Sequence, residues 1–189
     1  MSKIKEQLKD YLKNIGFRKG FALSIGNAND DRKYFSEADF VSWETMDIDR
    51  ELTPNILHDM NKPLMDDNEI RLDEALYEKY DYVFAFELWE YIYDPVTAHR
   101  NLHYLLKPGG TYMGSYVFVY PKHNPPGMDY LRYTDDGIRK LLETQGFRDI
   151  KITPRTGNEL LLDFYDADGM RSRKDIDNTI TGWIVEAKK

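Results

Sequence analysis

Asp47, Asp59, Glu87 and Glu90 recur just past successive apolar runs, and this order is the first chemical signal in the 189-residue chain. The run Phe21-Ala22-Leu23-Ser24-Ile25 breaks at Gly26-Asn27-Ala28-Asn29-Asp30, and Asp47 follows Gly26 by 21 residues. A carboxylate about 20 residues past the first strand-to-helix turn is where nucleotide-binding folds accept both ribose hydroxyls. Asp59 follows a weaker apolar run and suits an adenine amino group. A helix opening near Asp30 or Asp31 would offer unpaired backbone amides to a carboxylate or phosphate. Plainer readings stand beside these. Asp30 suits a helix cap, Asp47 and Asp59 suit turns, and Glu90 suits packing on the helix that follows.

The elements that must position these residues alternate. Ile4, Leu8, Tyr11, Leu12 and Ile15 mark one stripe of an amphipathic helix, which Asn14 and Gly16 stop. Strands are predicted over 21–25, 40–46 and, weakly, 55–59, and Leu72, Ala75, Leu76 and Lys79 fall at helical spacing. Tyr82-Val83-Phe84-Ala85-Phe86 has no polar alternation, as expected for the buried centre of a parallel sheet. Pro95 then opens a helix whose buried face is Val96, Ala98, Leu102, Leu105 and Leu106. A strand over 112–120, a helix capped by Thr134 and strands over 148–153 and 181–187 complete the order. The polar stretch 155–178 has no assignable period. Strands alternating with helices predict an α/β fold in one domain spanning 1–189, with ligands at the carboxyl ends of the strands.

Composition narrows the chemistry. Lys and Arg number 26 against 33 Asp and Glu, a net charge of −7, which disfavours nucleic acid as a primary partner. No cysteine occurs, so disulfides, thiolate zinc sites and cysteine nucleophiles are all excluded. His99 and His103 stand four apart on a predicted helix, a spacing open to a metal, but a surface pair is the simpler expectation and no metal is expected. The opening MSKIKEQLKDYL has no apolar signal region and no run of 18 apolar residues occurs, so no membrane partner and a cytoplasmic location are expected.

Three phrases carry a family resemblance. Phe86-Glu87-Leu88-Trp89-Glu90-Tyr91-Ile92-Tyr93-Asp94-Pro95 is similar to "fevLEHv.dP", Leu106 to Gly110 reads "LKPGG", and His123 to Thr134 is similar to "H..P.DY.RYT". Together they resemble small, type-11-like class I S-adenosylmethionine-dependent methyltransferases. The resemblance implies a Rossmann-like, doubly wound, seven-stranded, mostly parallel sheet with an antiparallel edge strand formed by the last strand. It implies S-adenosylmethionine as cofactor, with Gly26, Asn27 and Ala28 at the methionine moiety and Asp47 with Ile48 at the ribose. Asp59 and Met60 would then sit by adenine, with Phe86 and Glu87 lining the pocket near the methyl group. The segment 123–134 would cover the acceptor side. Ser24 stands where the family usually has an acidic residue, Ala28 replaces a glycine, and Tyr91 stands where the subgroup usually has histidine.

Methyl transfer is a displacement at a sulfonium carbon, so alignment and water exclusion dominate and a base is needed only for weakly acidic acceptors. His123 and Asp129 are the catalytic candidates, and Tyr130 and Arg132 the candidates for orienting a small, possibly sugar-related acceptor. Arg132 also suits pairing with a local carboxylate to hold the lid closed. Two rival functions are a nicotinamide-dependent oxidoreductase, against which the missing second and third glycines count, and a methyltransferase-like module that binds a partner without catalysis.

Overall fold

The apolar runs become strands, and the strands form one central sheet. The computed structural model describes residues 3–14, 19–26, 35, 40–65, 73–120, 122, 127–157, 162–165, 171–174 and 179–189. Its strands are β1 (Phe21–Ile25), β2 (Ser42–Asp47), β3 (Ile56–Leu57), β4 (Tyr80–Ala85), β5 (Leu106–Val117), β6 (Arg148–Gly157), β7 (Leu162–Tyr165), β8 (Arg171–Lys174) and β9 (Thr179–Lys188). Seven pair in the order β3-β2-β1-β4-β5-β9-β6, while β7 and β8 form a separate antiparallel pair. The pairs from β3 to β5 are parallel, and β9 runs antiparallel to both β5 and β6. The fold class is the expected one. The antiparallel strand sits one place inside the edge, with β6 outermost.

The absence of polar alternation in β4 has its cause in burial on both faces. Val83 and Ala85 join the larger core, under the helices α2 (Pro95–Leu105) and α3 (Asp135–Thr144). Phe84 and Phe86 point the other way, into a second core with Ala22, Met113 and Ile184 that Leu8 and Leu12 of α1 (Lys3–Lys13) cover. Trp43 stacks on Phe84 at 5.4 Å between ring centroids. Thr134 caps as the sequence predicts, accepting from Gly137 N at 3.1 Å, and Pro95 opens α2 as expected, with Asp94 as its cap accepting from Thr97 N at 3.1 Å.

Three expectations need correction. Residues 74–76 form only a single 3-10 turn, capped by Asp73, so the helical spacing around Leu72–Lys79 does not extend to a described helix. The strand expected over 112–120 begins earlier and ends at Val117: Tyr80 of β4 already pairs with Leu106, so β5 takes in the "LKPGG" phrase. The histidines of α2 are no surface pair: His99 is fully buried and His103 half-buried with its ring edge-on to Phe147 at 5.5 Å. Among the described residues no group of three side chains is arranged to hold a metal.

His99 anchors a buried polar chain. Its Nδ1 lies 2.6 Å from Pro95 O, which can only accept, so Nδ1 carries the proton and Nε2 accepts from the Tyr116 hydroxyl at 2.9 Å. Tyr116 then accepts from the Tyr112 hydroxyl at 2.8 Å. Trp89 covers the chain, its ring 4.1 Å from His99 and 5.0 Å from Tyr116.

Candidate functional site

A cavity opens at the carboxyl ends of β1, β2 and β3, and the turns that follow these strands build one wall. Gly26 leaves β1 with φ +72°, donating to Met46 O at 2.9 Å. A side chain here would be strained, and its Cβ would stand 2.9 Å from Leu88 Cδ1. Asp47 ends β2 nearly buried, its Oδ1 accepting from Asp49 N at 2.9 Å in a two-residue turn. Asp59 does likewise, its Oδ1 accepting from Asn61 N and Asn61 Nδ2, both at 3.0 Å. Each carboxylate is therefore fixed by the chain just after it.

The loop carrying Asp59 is clamped from α2. Asn61 Oδ1 accepts from Tyr93 N at 2.9 Å and Asp94 N at 3.0 Å, joining the loop to the start of that helix. Buried Asn101 accepts from Leu64 N at 2.9 Å and donates to Met60 O and Lys62 O. His58 Nε2 donates to Lys62 O at 3.1 Å, and burial lowers the imidazole's pKa, which favours the neutral ring. Ile25, Ile48, Met60, Leu88 and Ile92 supply the apolar lining.

Tyrosines build the opposite wall. Tyr91, Tyr93 and Tyr130 line the cavity with Met128, and the rings of Tyr93 and Tyr130 meet edge-on at 5.8 Å. Tyr130 N donates to Glu90 O at 2.7 Å, Tyr133 N to Val117 O, and the Tyr133 hydroxyl to Trp89 O, so residues 130–133 are fastened to β5 and to the turn after β4. Burial raises the Tyr91 phenol pKa, and the charges of Glu90, Asp129 and Glu87 raise it further.

Among the sequence candidates, Gly26, Asp47, Ile48, Asp59, Met60 and Tyr130 come together on this cavity. Phe86 and Glu87 do not line it. Phe86 is held in the α1-side core by the strand's alternation, and Glu87 turns toward β5 and β6. Asp129 and Arg132 close on each other: Arg132 Nη2 donates to Asp129 Oδ2 at 2.7 Å and Nη1 to Oδ1, which raises the guanidinium's pKa further. Asn27, Ala28 and His123 lie outside the described residues, as does the helix start near Asp30. Sequence reasoning passed over Asn61, Tyr93, Met128, Ser115 and Arg155. Asn61 two residues past Asp59 was a readable turn signal, whereas Ser115 and Arg155 acquire meaning only through pairing across the sheet.

Solved structures share this fold. Over 98% of this chain and 93% of the other, it resembles a SAM-dependent methyltransferase from Archaeoglobus fulgidus at 13% identity, with a TM-score of 0.62. An S-adenosylmethionine-dependent methyltransferase from Mesorhizobium loti aligns over 98% of both chains at 11% identity and a TM-score of 0.60. Phosphoethanolamine N-methyltransferase 2 of Haemonchus contortus, in complex with S-adenosyl-L-methionine, aligns at 16% identity and a TM-score of 0.55. That alignment covers 81% of this chain but only 38% of the longer protein. No protein-family model and no curated protein sequence matches the chain. At these identities the likeness is one of fold, and the fold is that of S-adenosylmethionine-dependent methyltransferases.

Proposed function

We propose that the protein transfers a methyl group from S-adenosylmethionine to a small-molecule acceptor. The observation that carries this reading is the pair of carboxylates, Asp47 and Asp59, fixed at the ends of adjacent strands around an apolar floor. Their chemistry fits an adenosine: Asp47 accepts from ribose hydroxyls, Asp59 with Asn61 accepts from the adenine amino group, and Ile48, Met60 and Ile92 pack on its faces. Gly26 fits close approach of the remaining moiety, with Asn27 and Ala28 expected to continue that contact. The bound sulfonium supplies an activated methyl group with a good leaving group. What the chain must do is hold the acceptor in line and exclude water, tasks suited to Tyr91, Tyr130 and the 128–132 segment. His123 is retained as the candidate base for acceptors that do not ionise readily, sugar-related hydroxyls among them. Asp129, its side chain 2% exposed and paired to the more exposed Arg132, suits fastening that segment better than proton transfer.

Thermal-shift titration against S-adenosylmethionine, S-adenosylhomocysteine and NAD tests the reading. Stabilisation by the first two alone, abolished in Asp47→Ala, supports it. A shift with NAD alone would favour a dehydrogenase, and no shift with any of the three would favour a non-catalytic module.

A further inference from the structure

Folding leaves large side chains uncovered along the tyrosine wall of the cavity. Tyr93 is 59% exposed, Tyr130 47% and Met128 44%, and all three line the cavity. A single exposed apolar residue is ordinary, but a group of them at a concave site marks a place where something binds. The rings of Tyr93 and Tyr130 meet edge-on, at 5.8 Å and 84°, so they form a corner. A third ring fits such a corner by lying flat on one tyrosine and edge-on to the other, the two arrangements that aromatic pairs prefer. The corner is set before any ligand arrives. Tyr93 N donates to Asn61 Oδ1 at 2.9 Å and Tyr130 N to Glu90 O at 2.7 Å, which fixes the backbone carrying each ring.

Charge distinguishes this wall from the other. Among the described residues, the carboxylates that line the cavity are Asp47 and Asp59, both on the wall assigned above to adenosine. The acidic neighbours of the tyrosines in sequence are engaged elsewhere: Asp129, 2% exposed, pairs with Arg132, and Glu90 is fully buried. An ammonium or carboxylate bound against the tyrosines would therefore lose hydration without gaining an opposite charge. What this wall offers is ring faces, the Met128 thioether and phenol hydroxyls. Burial raises the Tyr91 phenol's pKa, so its hydroxyl stays protonated and cannot serve as a base.

We propose that the methyl acceptor is an uncharged phenol, its ring lodged in the corner of Tyr93 and Tyr130 and its oxygen turned toward the cofactor. This rests on the methyltransferase reading above. A phenol ionises at a pKa of about 10, more readily than a sugar hydroxyl, so its proton can pass to water. A lone pair of the phenolate oxygen then forms the new O–C bond while the S–C bond of the sulfonium breaks. The bonding pair stays on sulfur, which becomes a neutral thioether, and the product is an aryl methyl ether. Tyr93 and Met128 thereby join Tyr130 as acceptor-binding residues.

The experiment compares unsubstituted phenol with cyclohexanol, which keeps the hydroxyl without the aromatic ring, and with aniline, which keeps the ring but carries an amine. Tyramine and para-hydroxybenzoate add a cation and an anion to the phenol. Thermal shift of the protein saturated with S-adenosylhomocysteine reads acceptor binding, and transfer of a tritiated methyl group from S-adenosylmethionine reads the reaction. Phenol should stabilise the complex and take label, aniline should bind without taking label, and cyclohexanol should do neither. The two charged phenols should react roughly tenfold less efficiently in kcat/KM. Tyr93→Leu and Tyr130→Leu should each raise KM for phenol several-fold, and Tyr130→Phe should restore the wild-type value. Both rings are about half exposed, so these changes leave the core intact, and S-adenosylhomocysteine affinity should stay within about twofold. Label passing equally to cyclohexanol, aniline or a charged phenol, no phenol taking label, or an unchanged KM in Tyr93→Leu and Tyr130→Leu alike would overturn the proposal. Cofactor titration separates the two claims: a protein that binds S-adenosylhomocysteine but methylates no phenol loses only the acceptor assignment, whereas one that binds no cofactor loses the methyltransferase reading itself.

Discussion

The two walls of the cavity are made by opposite means. On the β1–β3 side, each cavity carboxylate is fixed by a backbone amide two residues further on, Asp47 by Asp49 and Asp59 by Asn61. On the β4 side, Glu87, which precedes the lining residue Leu88 without lining the cavity itself, depends on Ser115, 28 residues away, and Arg155, 68 residues away. Beneath that wall lies the Trp89–His99–Tyr116–Tyr112 chain, whose members also meet only in the folded sheet. The first wall is local chemistry carried on a scaffold. The second is a product of the scaffold, so substitutions there should disturb stability as well as ligand, whereas those on the first should disturb mainly the ligand.

The largest effect should come from Glu87→Ala. It removes the carboxylate from a buried guanidinium, and breaking such a pair costs roughly 3 kcal/mol. Chemical denaturation reads this, and a loss under 1 kcal/mol would mean that Arg155 does not depend on Glu87. On the other wall, Asp47→Ala should lower S-adenosylhomocysteine affinity by roughly 1.5–3 kcal/mol while leaving the unfolding midpoint nearly unchanged. Equal affinity in that variant would remove Asp47 from the ribose role.

A third contrast uses pH. Burial lowers the His99 pKa from 6.5 to about 4, so the unfolded chain takes up a proton before the folded one does. The contribution of the neutral ring is therefore fully present above pH 6.5 and is lost as pH falls toward 4. Between pH 7 and pH 5 the wild type should lose about 2 kcal/mol that a His99→Gln variant does not lose. Parallel losses in the two proteins would contradict a buried neutral imidazole. The smallest change should be Asn61→Ala, which releases Tyr93 N and Asp94 N from their common acceptor and should cost about 1 kcal/mol of stability. Cofactor affinity should fall with it, because the same residue also binds Asp59.

The same contrast explains what could be read from the chain. The turn at Gly26 and the carboxylates Asp47 and Asp59 were legible because local spacing sets them, and the apolar run in β4 announced a buried parallel strand. The Thr134 cap and the helix opening at Pro95 were legible for the same reason. Glu87 was noticed for its place after β4, but its pairing with Ser115 and Arg155 was not legible, since nothing near it in sequence points to either. The interval 155–178 resisted assignment because β6 extends to Gly157 by pairing with the start of β9, a partner more than 20 residues downstream. At that bulged end the Gln7 side chain of α1 binds both Thr156 N and Thr156 O, a contact spanning 149 residues. His99 looked like a surface histidine because helical spacing alone does not say which stripe faces the sheet.

Isothermal titration of the purified protein with S-adenosylmethionine and S-adenosylhomocysteine tests the central claim most directly. The account predicts saturable one-site binding of both, at micromolar concentrations, with the affinity reduced in Asp47→Ala. A folded protein that releases no heat with either compound, and whose unfolding midpoint neither compound moves, would contradict it.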